Sequence, residues 1–259
     1  MFKLGADPEL FLKDASEAYI SAIGLIGGSK EQPRPLEIGP GFMVQEDNVA
    51  IEYNIPPAGS RDEFDNNIDK IMKFLSMEVQ KIGLHFDSSS AVSFPKEQLL
   101  HPMAQKFGCD PDYNAWKEGK RNPRPKASDP SLRTCGGHVH IGYNFESETD
   151  LIEFIKHMDL FTLGSIIMDK GELRKELYGK AGCYRPKSYG GEYRSLSNFW
   201  IFKPEYRNWV WESTEMAMDA WKNKSIDIDA ERNDILLAIN KNNKKVASNL
   251  IDKYNLLVV

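Results

Sequence analysis

A chain of 259 residues, 41% hydrophobic and 27% charged, is long enough to bury a sizeable core within one domain. Its formal net charge of -5 leaves no electrostatic footprint for sequence-independent binding to duplex nucleic acid, and the three cysteines, Cys109, Cys135 and Cys183, form no CxxC pair, which excludes a disulfide framework and a structural zinc knuckle. The opening MFKLGADPELFLKD turns acidic within its first seven residues, and no segment approaches the roughly 20 apolar residues of a membrane span, so the expectation is a soluble, cytoplasmic protein.

Up to about Pro57 the sequence is strand-like and rich in glycine and proline. From Arg61 to Gly83, the residues Phe64, Ile68, Ile71, Met72, Leu75, Val79 and Ile82 recur at helical spacing, and Gly83 is suited to end the helix. Leu99 to Leu132 carries several prolines and the basic run KEGKRNPRPK, and predicts a long surface excursion (99–132) that could act as a lid. Strand texture returns from Thr134 to Phe145. A second helix is expected from Ser147, with Asp150 helping to cap it, to about Met168. The C-terminal portion (204–255) reads as helices around Tyr206–Lys222, Ala230–Asn240 and Lys244–Tyr254, with Trp209, Trp211, Trp221, Met216 and Met218 suited to core packing. The whole, 1–259, is read as a single α+β domain.

Four segments place polar residues at every second position, so that each strand carries one apolar and one chemical face. In DNVAIEYNIPP, Asn48, Ala50, Glu52 and Asn54 oppose Val49, Ile51, Tyr53 and Ile55. In GGHVHIGYNF, His138, His140 and Asn144 share a side with Gly136 and Gly142. GADPELFL sets Asp7 two residues before Glu9, and GGEYRSLSNFW alternates Glu192, Arg194 and Asn198 with Tyr193 and Ser195. An ordinary solvated face favours Lys, Thr, Ser and Glu. Carboxylates, imidazoles, an arginine and glycines together read as a site for a divalent cation and for phosphate or carboxylate. Each piece alone has a structural reading: a DPE turn, a polar strand face at the HVH pair, a bridge between Arg194 and Glu192 or Asp7. Glu52 is the hardest to explain so, since burying an unpaired charge in an apolar strand costs about 3 kcal/mol or more.

GADPELFL, QEDNVAIEYNIPPA, FGCDPDYNAW, GGHVHIG and YRPKSYGGEYRSLSNFW, in this order across about residues 2 to 200, resemble the phage-encoded carboxylate-amine ligases of type 2, distant relatives of glutamine synthetase and glutamate-cysteine ligase. The resemblance implies an antiparallel sheet curved into a partial barrel, helices on its outer face, and nucleotide and acceptor entering the concave face from opposite ends. It implies ATP and Mg²⁺, with Mn²⁺ as a substitute. Asp7, Glu9 and Glu52 inherit the metal-binding role, with Asn54 adjacent. His138 and His140 lie near the phosphates or a metal, and Arg194 neutralises the transferring group, with Arg185 and Lys187 as secondary phosphate or carboxylate ligands. Aspartate-proline-glutamate replaces the run of glutamates of more distant relatives, which leaves the metal geometry open. The implied reaction is amide formation through an acyl phosphate, with Glu192 or a residue of the Cys109–Tyr113 loop as proton acceptor for the amine. The substrates are small-molecule or peptide carboxylates and amines, nucleic acid entering only as a modified base, and a phage protein would act in the host cytoplasm.

Two other classes compete. His138, His140 and an acid are the beginnings of a zinc hydrolase site, although no HExxH helix and no placed third imidazole accompany them. Alternatively, the basic loop with an exposed Trp116 would make a non-catalytic nucleic-acid- or protein-binding module. One sequence does not determine the oligomeric state.

Overall fold

The structure, a computed structural model, describes residues 1–105, 112–125 and 128–259. Among these are fourteen strands: β1 (Lys3–Ala6), β2 (Glu9–Asp14), β3 (Tyr19–Ile20), β4 (Arg34–Pro35), β5 (Met43–Asp47), β6 (Ala50–Asn54), β7 (Leu84–Asp87), β8 (Ala91–Ser93), β9 (Tyr113–Asn114), β10 (Lys120–Arg121), β11 (Leu132–Thr134), β12 (Val139–Gly142), β13 (Cys183–Lys187) and β14 (Gly190–Tyr193). The six α-helices are α1 (Arg61–Lys81), α2 (Glu148–Phe161), α3 (Ser165–Met168), α4 (Pro204–Asn223), α5 (Arg232–Asn240) and α6 (Lys244–Tyr254).

Asp7–Pro8 is the joint of the sheet. Proline fixes its own φ and keeps the preceding residue extended, so the chain continues from β1 into β2 while changing partners. β1 pairs with β12 and β2 with β6, both antiparallel. Each also bonds beyond its own partner: Glu9 N–H donates to Gly136 O at 2.9 Å, and Ile55 N–H to Ala6 O at 3.3 Å. One sheet, ordered β1-β12-β14-β13-β9-β10, thus meets another, ordered β3-β2-β6-β5-β4 with β7 also on β2. Together they form a curled antiparallel half-barrel, as the resemblance implied; β8 and β11 pair separately.

Alternation supplies the core behind the sheet. Leu4, Leu10, Ile51, Tyr53, Val139, Ile141 and Tyr193 are buried there with Phe64, Ile68, Ile71, Leu75 and Val79 of α1. Ser60 caps α1, its Oγ accepting from Glu63 N–H at 3.2 Å, and Gly83 follows with φ +77. Ile82, expected in the apolar stripe, is 49% exposed because the helix ends before it. Helix α2 is capped by Ser147 and packs on α4 and β14. Instead of running on to Met168, it stops at Thr162, and a Cβ at Gly164 would lie 2.6 Å from Leu257 O, so the C-terminal chain packs closely on the turn between α2 and α3.

The 99–132 segment is only partly a surface excursion. β9 pairs with β13 and β10 with β9, so its middle is the edge of the sheet. Trp116 is 3% exposed, and its Nε1–H donates to Asp159 Oδ2 at 2.6 Å, which corrects the expectation of an exposed aromatic. A polar indole nitrogen with a buried carboxylate partner makes burial affordable there. Lys126 and the start of the FGCDPDYNAW motif lie outside the described residues. Among the described residues, no helix is long and apolar enough to cross a membrane.

Candidate active site

Gly5, His140, Glu192 and Arg185 stand in register across β1, β12, β14 and β13, so they face the same side of the sheet. Their neighbours Val139, Ile141 and Tyr193 face the core. Arg194 follows the end of β14 but keeps its place beside β13, its N–H donating to Cys183 O at 2.9 Å. The glycines before His138 have a steric purpose. A Cβ at Gly136 would overlap the His138 ring, and one at Gly137 would lie 2.5 Å from Trp200 Nε1.

These residues form a chain of polar contacts on the concave face. Asp7 Oδ1 lies 3.3 Å from His138 Nδ1, and its Oδ2 lies 3.0 Å from His140 Nε2. Arg194 Nη1 is 3.2 Å from His138 Nδ1, also contacts Glu192 Oε1, and its Nε is 2.7 Å from Asp112 Oδ1. Lys187 Nζ reaches Glu192 Oε2 at 2.7 Å, while Arg185 Nη1 is 3.9 Å from Oε1. Tyr189, at the tip of the β13–β14 hairpin, donates to or accepts from His140 Nδ1 and stacks on its ring at 5.9 Å between centroids.

The acids divide electrostatically. Burial alone would raise the Asp7 carboxyl, but the His140 charge and hydrogen bonds from both imidazoles hold it well below the ordinary aspartate range. Burial and the Asp7 charge oppose ionisation of Glu192 too, yet Arg194, His138 and His140 overcome them and bring it down to about 2. Burial disfavours the charged form of His140, and Asp7 beside it more than offsets this, raising its pKa. Glu9 and Glu52 behave oppositely: burial raises both, and for Glu52 the charges of Asp7, Asp47 and Glu9 add to the effect.

Among the described residues, two groups offer ligand atoms within 4.8 Å of one another: Asp7, His140 and Glu192; and Glu9, Asp47 and Glu52. Glu9 and Glu52 are directly paired between β2 and β6, and Asp47 ends β5 at the tight turn into β6. All nine residues singled out from the sequence are therefore on one concave face, but the four expected to hold metal do not form one set. Glu52 groups with Glu9 and Asp47, with Asp7 still near enough for its charge to act on it, and His138 lies in neither group, its Nδ1 within reach of both Asp7 Oδ1 and Arg194 Nη1. Asp47, Asp112, Tyr189 and Arg174 were not recognised individually. Asp47 was legible only as the end of a hairpin, and Asp112 as part of a motif in the supposed excursion. Glu9, Asp47, His138 and Arg194 line a common cavity, which Arg133 and Arg174 also enter.

Residues 129–243, spanning the HVH strand, the β13–β14 hairpin and α4, match the family model described as phage phiEco32-like COOH.NH2 ligase-type 2. Over those residues the chain is similar to this family. The ligase-type 2 match thus covers His138, His140, Arg185, Lys187, Glu192 and Arg194, whereas Asp7, Glu9, Asp47 and Glu52 precede it. No curated protein matches the chain significantly.

Proposed function

We propose that the chain is an ATP-dependent carboxylate-amine ligase that uses magnesium ions held by the two acidic sets. The observation that carries this reading is their placement: two ligand groups on one concave face, with Arg194 alongside, within the fold of a family described as COOH.NH2 ligases. Of the two sets, the all-carboxylate one fits a hard cation. Glu9, Asp47 and Glu52 are gathered together, burial raises Glu9 and Glu52, and none of the three forms an ion pair with a lysine or arginine among the described residues. Such a group of acids is completed by a divalent ion. When bound, magnesium neutralises charge on the transferring phosphate oxygens.

In the proposed reaction a substrate carboxylate oxygen attacks the γ-phosphorus of ATP and ADP leaves. An amine nitrogen then attacks the acyl carbon, phosphate leaves, and the nitrogen gives up a proton. Arg194, oriented by Asp112 and Glu192, presents its guanidinium to the negative charge that gathers during transfer. His138, its Nδ1–H donating to Asp7, fixes that carboxylate beside Arg194. Glu192, held by cations and brought down to about 2, is suited to orienting Arg194 and holding a metal rather than to accepting the amine's proton. Of the alternative acceptors in the Cys109–Tyr113 loop, Cys109, Asp110 and Pro111 lie outside the described residues.

The test is ADP release over paired acids and amines, with mass spectrometry of the condensed product. ADP and a product lighter than the sum of its substrates by one water are expected only with magnesium or manganese. Zinc retained through purification, with hydrolysis and no ADP, would replace this reading by the hydrolase. The non-catalytic module loses its aromatic platform with the burial of Trp116.

A further inference from the structure

Arg174 lies in a short 3-10 turn, Glu172–Glu176, and is 3% exposed. Its Nη1 donates to Ser195 O at 3.2 Å and its Nη2 to Arg194 O at 3.4 Å, but its Nε has no acceptor. Among the described residues it forms no ion pair. Asp169 is turned to other donors, the Gly171 N–H at 2.7 Å and the Ser197 Oγ at 2.8 Å. The position is nevertheless built for a guanidinium: Gly179, at φ +73, lies where any Cβ would overlap Arg174 Nη1. A buried cation with no ion pair of its own is costly; the charges of Glu9 and Asp169 favour it only from beyond ion-pair distance, and a second guanidinium, Arg194, borders the same cavity and opposes it.

We infer that Arg174 is an anion-binding residue and that, with Arg194, it receives the phosphate chain of the nucleotide in the cavity walled by Glu9 and Asp47. The inference rests on the ligase reading above and adds where the phosphates lie. The charge pattern selects the anion. A lone carboxylate would bring no cation to Glu9, Asp47 and Glu52, whereas a magnesium-bound polyphosphate brings a cation to the acids and oxygens to the guanidinium groups. The carbonyl bonds from Arg174 to residues 194 and 195 also couple the anion to the backbone of Arg194.

Calorimetric titration of the full chain with magnesium tripolyphosphate and with magnesium ADP tests this. Arg174→Gln is expected to weaken both on the order of 10- to 100-fold, the effect of losing a charge-assisted hydrogen bond, and Arg174→Lys less. Wild-type affinity in a folded Arg174→Gln protein overturns the inference and leaves the ligase reading standing. Failure of the wild type to bind either probe overturns both. Should the glutamine variant not fold, a wild-type structure with magnesium ADP decides: a phosphate oxygen is expected about 3 Å from Arg174 Nε, and phosphates bound elsewhere refute the assignment.

Discussion

Glu192 is a fully buried carboxylate held by Lys187, Arg185 and Arg194, and such a group ties stability to acid pH. Its folded pKa, about 2, is below the ordinary glutamate value of 4.5, so its contribution is complete above about 4.5 and is lost as pH falls toward 2. Asp7, also lowered, acts in the same direction. Denaturation followed against pH should show this acid limb shrinking in Glu192→Gln, which should also cost about 3 kcal/mol at neutral pH by leaving buried cations short of an anion. An unchanged acid limb would show that the pairing contributes nothing. Glu9 and Glu52 have the reverse sign. Their raised pKa values mean that the folded state holds protons the unfolded chain releases, so their contribution falls as pH rises above about 4.5 through the raised values. Magnesium should offset that loss, and in its absence Glu52→Gln should melt higher than the wild type while losing turnover. A Glu52→Gln protein with normal turnover would remove this residue from the site. Residue types and alternation revealed these groups in the sequence; their pKa directions depend on neighbours from other strands.

At the scale of elements, the glycine-led strand β12 shows how local sequence sets the geometry of the site. Gly137 packs against the Trp200 indole and the carbonyl of Ser197, both buried and neither free to retreat. Gly137→Ala should therefore cost about 1–3 kcal/mol, lowering the thermal midpoint, and should reduce activity further by moving the adjacent His138. An alanine variant with the wild-type midpoint would mean that the strand yields more easily than this packing allows. Helices α1 and α4–α6 were readable because an amphipathic stripe and its caps are local properties. The break between α2 and α3 was not, and the turn there packs at Gly164 against Leu257, remote in sequence. The same limit applied to β9 and Trp116: prolines and charge suggested an excursion, while the pairing with β13 and the bond to Asp159 are long-range contacts.

Across the whole molecule, one hydrophobic cluster extends from Phe2 to Leu256, and both limbs of the half-barrel contribute ligand atoms. A ligand joining the limbs should stabilise the entire fold. Magnesium ADP at about 100 times its dissociation constant should add about 2.7 kcal/mol, raising the midpoint by about 5–10 °C for a chain of this size. The rise should vanish in Asp47→Asn, and a full rise in that variant would remove Asp47 from the metal set. What the sequence by itself determined was the mixed class, the long helices, the apolar and chemical faces of each strand, and nine residues of the concave face, because period and residue type are properties of short segments. Only the tertiary structure decided which acids lie together, that Asp47 joins Glu9 and Glu52, and that Arg174 is buried without an ion pair. Those facts depend on strand register and on the bend at Asp7–Pro8, which bring together side chains separated by up to about 190 residues of chain.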